Sequence, residues 1–132
     1  MPYWQICHSN DTLMRKLVLP INQSYLVPDF KSQAGQDLFV LMCLNGKKNG
    51  RFLDLGCNHP VHINNTFMLE QQYGWTGFSF DIDSSHIDKF GQYRKTPGIR
   101  KDCTKLTSED FEMITCGGHI DYLSLDLEPV DV

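Results

Sequence analysis

The chain has 132 residues, the size of one ordinary domain, and its 41% hydrophobic and 21% charged residues exclude a wholly disordered protein. Its formal net charge of -4 disfavours a domain that grips the nucleic-acid backbone, so we expect no nucleic-acid partner. The apolar runs are shorter than the ~20 residues that cross a bilayer, so we expect no membrane span.

Residues 1–30 differ in pattern from the rest of the chain. They contain Pro2, Pro20 and Pro28 and show little periodicity, which predicts a loosely structured arm or an extra element. We therefore place the main domain at residues 31–132.

The main domain alternates between helix and strand patterns. A helix is predicted over 33–45, with Ser32 as its N-cap and Gly46 at its C-terminal end. The following patterns predict, in chain order, a strand over 51–57, a helix over 66–73 that ends at Gly74, a strand over 77–82, a helix capped by Ser84 or Ser85 that runs to about Tyr93, a strand over 99–102, a helix after the capping box Thr107–Asp110 and a strand over 120–127. This order predicts an α/β, Rossmann-like sheet of parallel strands with flanking helices.

Acidic residues stand at the end of every predicted strand. Parallel strands bring their carboxyl ends to one edge of the sheet, where such folds bind ligands. The acids at these ends are Asp54, Asp81, Asp83, Asp102, Asp126 and Glu128. Any single one of them is as readily explained as a helix cap, but their common position favours a binding site.

Carboxylates at this edge suit a nucleoside, because they accept hydrogen bonds from a ribose diol and from an exocyclic amine. Asp81 is our candidate for the diol, with Asp83 as the fallback, and Asp102 is our candidate for the adenine amine. Gly56 allows the backbone to approach a ligand closely. The helix that begins near Asn65 and Thr66 is expected to direct its free amides at an anionic group.

The glycine pattern discriminates between nucleoside ligands. A dinucleotide-binding loop has the pattern Gly-x-Gly-x-x-Gly, and here only Gly56 is present. S-adenosylmethionine carries a carboxylate and an ammonium group where a dinucleotide has its pyrophosphate, and it demands less of this loop. A nicotinamide-dependent oxidoreductase is therefore the less favoured alternative.

Several segments together resemble a known family. They are Ser32–Asp37, Phe52–Gly56, Asn64–Thr66, Leu69–Glu70, Gly74–Gly77 and Asp121–Glu128. In order and spacing this set resembles the FkbM-type S-adenosylmethionine-dependent methyltransferases. The resemblance implies a class I methyltransferase fold and O-methylation of a sugar or another small hydroxyl compound.

The resemblance also implies roles for individual residues. Asp54, Gly56 and Asn58 fall in the cofactor loop, and Asp81 takes the position of the ribose-binding acid. Asp102 is implied to lie by the adenine, and the acidic pair Asp126 and Glu128 to lie near the reacting end. For the base that takes the hydroxyl proton, Asp126 is the first candidate and His59 the second.

The resemblance covers fewer strands than a complete class I sheet, so we expect a domain that is truncated after its fourth strand. Such a chain would expose an unpaired strand edge, which favours homo-oligomers. A truncated domain could instead be a non-catalytic remnant that binds a nucleoside or a partner, and we keep this as an alternative.

Metal binding is a weaker alternative. Cys57, His59, His62 and Glu70 lie close in sequence and include zinc-ligand types, and Asp126 with Glu128 could suit Mg²⁺ or Ca²⁺. Loop histidines more often bond to backbone or water, so we predict no metal.

The five cysteines are odd in number and irregularly spaced, which predicts reduced thiols and a cytoplasmic location.

Overall fold

The computed structural model describes residues 6–8, 15–19, 23–27 and 31–127. The strands in these ranges are β1 (Ile6–His8), β2 (Arg15–Leu19), β3 (Gln23–Val27), β4 (Arg51–Leu55), β5 (Thr76–Asp81), β6 (Gly98–Arg100) and β7 (Tyr122–Leu125). The helices are α1 (Gln36–Cys43), α2 (Phe67–Tyr73), α3 (Ser84–Ile87), α4 (Phe90–Tyr93) and α5 (Ser108–Thr115), with a 3₁₀ turn at Cys103–Lys105.

The main domain is built on a parallel sheet. Its order is β6-β5-β4-β7, and each neighbouring pair is parallel. With helices between the strands, this is the α/β, Rossmann-like arrangement that the sequence predicts. The chain moves outward from β4 to β6 and then returns to place β7 on the other side of β4. The strand order therefore reverses between β4 and β7, which is where open α/β sheets bind ligands.

Alternating side chains of β4 supply both faces of the sheet, because successive residues of a strand point to opposite sides. Phe52 joins a buried cluster with residues of α1 and α2, namely Leu38, Leu41, Met68 and Leu69. Leu53 and Leu55 join Phe80 on the opposite face, where Phe111 and Ile114 of α5 pack against them. Helices thus cover both sides of the sheet and leave its carboxyl edge for the loops.

The first thirty residues contain a second sheet. Strands β1, β2 and β3 form an antiparallel sheet in chain order. The sequence showed no periodicity that would have located these strands, which have three, five and five residues.

Two predicted helices differ in the structure. Helix α1 begins after Gly35 rather than after Ser32, and the Ser32 hydroxyl instead hydrogen-bonds to Asp37. The helix predicted to run to Tyr93 is two short helices, α3 and α4. The helical hydrogen-bond pattern is interrupted at Lys89, whose amide donates to the carbonyl three residues earlier and whose carbonyl accepts from the amide three residues later. The N-cap of α3 is Asp83 rather than Ser84 or Ser85, and the Asp83 carboxylate accepts the amide hydrogen of Ser85.

Other local predictions are confirmed. Thr107 and Asp110 form the reciprocal capping box of α5. Gly74 ends α2 in the left-handed conformation.

Over the described ranges, every helix lacks the length and apolar character of a membrane span.

Candidate functional site

A cavity of about 250 Å³ lies at the carboxyl ends of the strands. We call it the acidic cavity; the predicted site residues that line it are Gly56, Asn58, Asp81, Asp102 and Asp126. They come from the carboxyl ends of four different strands and the loops that follow, so the parallel sheet brings them together as predicted. Glu128 falls outside the described residues, and its role stays a prediction.

Asp81 is held rigidly at the end of β5. One of its carboxylate oxygens accepts the backbone amide of Asn58 and the other that of Asp83, both at 2.8 Å. Each carboxylate oxygen can accept more than one hydrogen bond, so both retain capacity for ligand hydroxyls. Asp81 thereby links the loop after β4 to the loop after β5 on one wall of the acidic cavity.

Asp83 and Asp102 also serve as helix caps. The Asp83 carboxylate accepts from the hydroxyl and amide of Ser85, and Asp102 accepts in the same way from Thr104. These hydrogen bonds hold the pKa of both carboxyls below the usual aspartate value. Local structure alone thus accounts for their position in sequence, although both also line the acidic cavity.

Gly56 follows β4 and lies against Asp126, the residue after β7, at the point where the strand order reverses. Its φ of 86° favours glycine, and a Cβ there would collide with the backbone carbonyl of Asp126. The amide of Asp126 in turn donates to Leu55 at 2.9 Å. This close approach brings Asp126 to the acidic cavity.

Asp54 lies beneath the site rather than in it. The side chain is on β4, is 1% exposed and lines neither described cavity. Burial raises its pKa to about 6, although hydrogen bonds from Ser124 and Thr66 and the nearby Arg94 charge oppose the rise. Asp54 therefore acts as a buried hydrogen-bond acceptor below the loops that form the cavity.

The start of α2 is capped by a side chain of the preceding loop. The amides of Thr66 and Phe67 both donate to the Asn64 side chain, at 2.9 and 2.8 Å. Thr66 is fully buried, and its hydroxyl bonds to Asn64 and Asp54. Asn64 therefore already satisfies two of the amides that the predicted anion site at this helix terminus was to use.

Arg94 is the principal structural residue that the sequence analysis missed. It is 7% exposed and pairs with Glu70 at 2.7 Å. Its guanidinium also donates to the Pro60 carbonyl and the Thr66 hydroxyl, at 3.0 and 3.1 Å. Arg94 thus fastens the loop between β4 and α2 to the body of the domain. The one sequence signal was Glu70, and a charge 24 residues away cannot be paired with it from spacing alone.

A second cavity, of about 600 Å³, lies beside the first. We call it the edge cavity; it is formed by the start of α1 and by β7, with Phe39, Asn65, Tyr122, Ser124 and Asp126 among its lining residues. Asp126 lines both cavities, so it stands at their boundary. The Asn65 amide donates to Ser124 at 3.0 Å, which fixes it in the wall of the edge cavity.

His59 lies in neither cavity lining. Its Nδ1 accepts the amide hydrogens of Val61 and His62, both at 3.0 Å, and its ring lies 4.8 Å from that of His62. Burial, followed by neighbouring positive groups, lowers its pKa. The ring therefore organises its own loop.

The residues that suggested a zinc site are not arranged as one. Cys57 is buried, with a raised thiol pKa caused first by burial, and Glu70 is paired with Arg94. Among the described ranges, no group of three or more His, Cys, Asp or Glu side chains could hold a metal ion.

Comparison of the chain with protein-family models, with curated proteins and with solved structures found no match.

Proposed function

We propose that the protein binds S-adenosylmethionine in the acidic cavity and transfers its methyl group to a hydroxyl oxygen of a small molecule. The observation that carries this proposal is the convergence of Asp81, Asp102 and Asp126 on one cavity where the strand order reverses. The resemblance to FkbM-type methyltransferases gives these residues matching roles.

The chemistry of the cavity fits this ligand. Asp81 would accept hydrogen bonds from the ribose hydroxyls, and Asp102 would accept one from the adenine amine. Gly56 and Asn58 would form the adjoining loop. The cavity has four aspartates, Asp81, Asp83, Asp102 and Asp126, against Lys101 and His86. This excess of carboxylates attracts a sulfonium and an ammonium and repels a pyrophosphate, so it favours S-adenosylmethionine over a dinucleotide.

Asp126 is suited to act as the base because it borders both cavities. S-adenosylmethionine would supply an electrophilic methyl group, and the protein would supply position and a proton acceptor. In that transfer the carbon–sulfur bond would break as the carbon–oxygen bond forms, and the Asp126 carboxylate would accept the hydroxyl proton. The products are a methyl ether and the demethylated thioether. Positioning supplies much of such an acceleration.

Calorimetric titration tests the cofactor assignment. We expect S-adenosylmethionine and its demethylated product to bind, and NAD to bind much more weakly. Asp81→Asn should weaken S-adenosylmethionine binding by at least about tenfold, because a charged hydrogen-bond acceptor for the ribose is lost at ~1.5–3 kcal/mol. Asp88→Asn is the matched control, since Asp88 is exposed and outside the cavity.

The outcomes separate the three hypotheses for the chain. Preferential binding of NAD would indicate an oxidoreductase, and no response to any of the three ligands would indicate a non-catalytic remnant. Unchanged affinity of a folded Asp81→Asn protein would overturn the ribose assignment. A remnant that binds S-adenosylmethionine would show no turnover with hydroxyl acceptors.

A further inference from the structure

The edge cavity has the size and lining of a small-molecule site. Its volume of about 600 Å³ lies within the usual ~300–1,000 Å³ of such sites. Polar groups on its wall are the Asn65 and Gln36 amides and the Ser124 hydroxyl, and Phe39 and Tyr122 provide aromatic surface. This combination suits a ligand that has hydroxyls on its rim and an apolar ring face.

The cavity has no positive counterpart for an anion. None of the described residues that line it is Lys, Arg or His, and one of them is Asp126. The amino end of α1 also borders the cavity, but the buried carboxylate of Asp37 in its first turn already accepts the Leu38 amide of the helix, together with the Lys31 and Ser32 amides of the preceding segment. The positive end of this helix is therefore balanced from within the protein.

We infer that the edge cavity binds the methyl acceptor and selects an uncharged, hydroxyl-bearing ring compound over an anionic one. This inference rests on the proposed function only where it names the bound compound as the methyl acceptor. The selection itself follows from the lining, because a carboxylate or phosphate placed beside Asp126 would meet a like charge with no cation to offset it.

Two aromatic glycosides that differ by one carboxylate test this selection. The probes are p-nitrophenyl β-glucoside, which is neutral, and p-nitrophenyl β-glucuronide, which is anionic. Each is titrated into isotope-labelled protein without cofactor and followed by NMR. We expect the glucoside to perturb Asn65 and Ser124 and to bind at least about tenfold more tightly than the glucuronide, as one unfavourable charge contact predicts.

A charge substitution at the cavity provides the sharper test. Gln36→Lys introduces a cation among the lining residues and should narrow the preference for the glucoside by about fivefold or more. Gln33→Lys is the matched control, because Gln33 is exposed and outside the cavity lining, and it should leave the preference unchanged. Phe39→Ser removes an exposed ring and should weaken the binding of both probes.

Equal affinity for the two probes would overturn the inference, as would no binding of the glucoside or perturbations confined to Asp81 and Asp102. The titrations contain no S-adenosylmethionine, so their failure leaves the cofactor assignment standing. Failure of S-adenosylmethionine to bind would overturn the proposed function and leave the glycoside selectivity standing.

Discussion

The buried carboxyl of Asp54 contributes to the pH dependence of this domain's stability. Its pKa rises from 3.8 to about 6 on folding, so between these values the folded state binds more protons than the unfolded state. The contribution of Asp54 to the free energy of unfolding therefore falls as pH rises from 4 to 6, by up to about 3 kcal/mol in total, and this loss persists at higher pH.

Asp54→Asn removes this ionisation while keeping the size of the side chain. We expect the variant to be more stable than the parent above pH 6, by about 1–3 kcal/mol, and to lose this advantage near pH 4. Urea unfolding at several pH values measures the difference. Asp88→Asn changes the same charge at an exposed site and should give a difference that varies little with pH. A pH-independent effect of Asp54→Asn would contradict the assignment.

Two glycines with nearly equal φ angles distinguish the cost of backbone strain from the cost of steric crowding. Gly35 has φ of 83° and open space around an added Cβ, whereas Gly56 has φ of 86° and the Asp126 carbonyl in the way. Gly35→Ala should cost about 1–2 kcal/mol for the left-handed conformation alone. Gly56→Ala should cost about 1–3 kcal/mol more, because β4 and β7 must separate. Chemical denaturation of both variants measures this, and equal losses would rule out a tight β4–β7 contact.

Among the elements, the loop from β4 to α2 is held by its own side chains and by Arg94, which lies outside it. The guanidinium contacts Glu70 on α2, Pro60 and Asn64 in the loop, and Thr96 ahead of β6. A buried charge network of this kind holds elements in register, since each donor finds an acceptor on a different segment.

Arg94→Met should lower the free energy of unfolding by about 3–5 kcal/mol, because it leaves the Glu70 carboxylate buried and unpaired. Lys95→Met provides the control, since Lys95 is an exposed neighbour and should change stability by less than about 0.5 kcal/mol. Denaturant unfolding compares the two variants. A loss in Arg94→Met as small as that of the control would show that the network is not a stabilising link.

For the whole molecule, the outer edge of β7 is the surface most suited to self-association. Leu123 and Leu125 are 55% and 64% exposed, and Leu127 continues the stripe at 40%. Among the described strands β7 pairs with β4 alone, so its second edge has no strand beside it. Leu123 and Leu125 also line the edge cavity, so we propose that the ligand-free protein forms a homo-oligomer through this edge and that a ligand in the edge cavity competes with the pairing, because an unpaired apolar strand readily pairs with another.

Light scattering after size-exclusion chromatography tests this proposal across a range of concentrations. We expect an oligomer that Leu125→Lys converts to a monomer, since a charge on an edge strand opposes pairing. Met113→Lys is the control, because Met113 is also exposed and apolar but lies on α5. A parent protein that remains monomeric throughout would refute the proposal.

The local pattern of the sequence determined the alternation of strands and helices, the capping box of α5 and the position of acids at strand ends. These features depend on residues a few positions apart, whose spacing reports a period of two or of 3.6 residues. The parallel sheet followed from that alternation, and with it the meeting of Asp81, Asp102 and Asp126 at one edge.

Only the tertiary structure decided how distant segments meet. It paired Arg94 with Glu70, buried Asp54 below the site, and placed Asp126 between two cavities. It also turned the amides of α2 toward Asn64, where a local interpretation directed them at a ligand. Such contacts join residues through packing rather than through spacing, and a local pattern carries no record of which distant partner will satisfy a buried polar group.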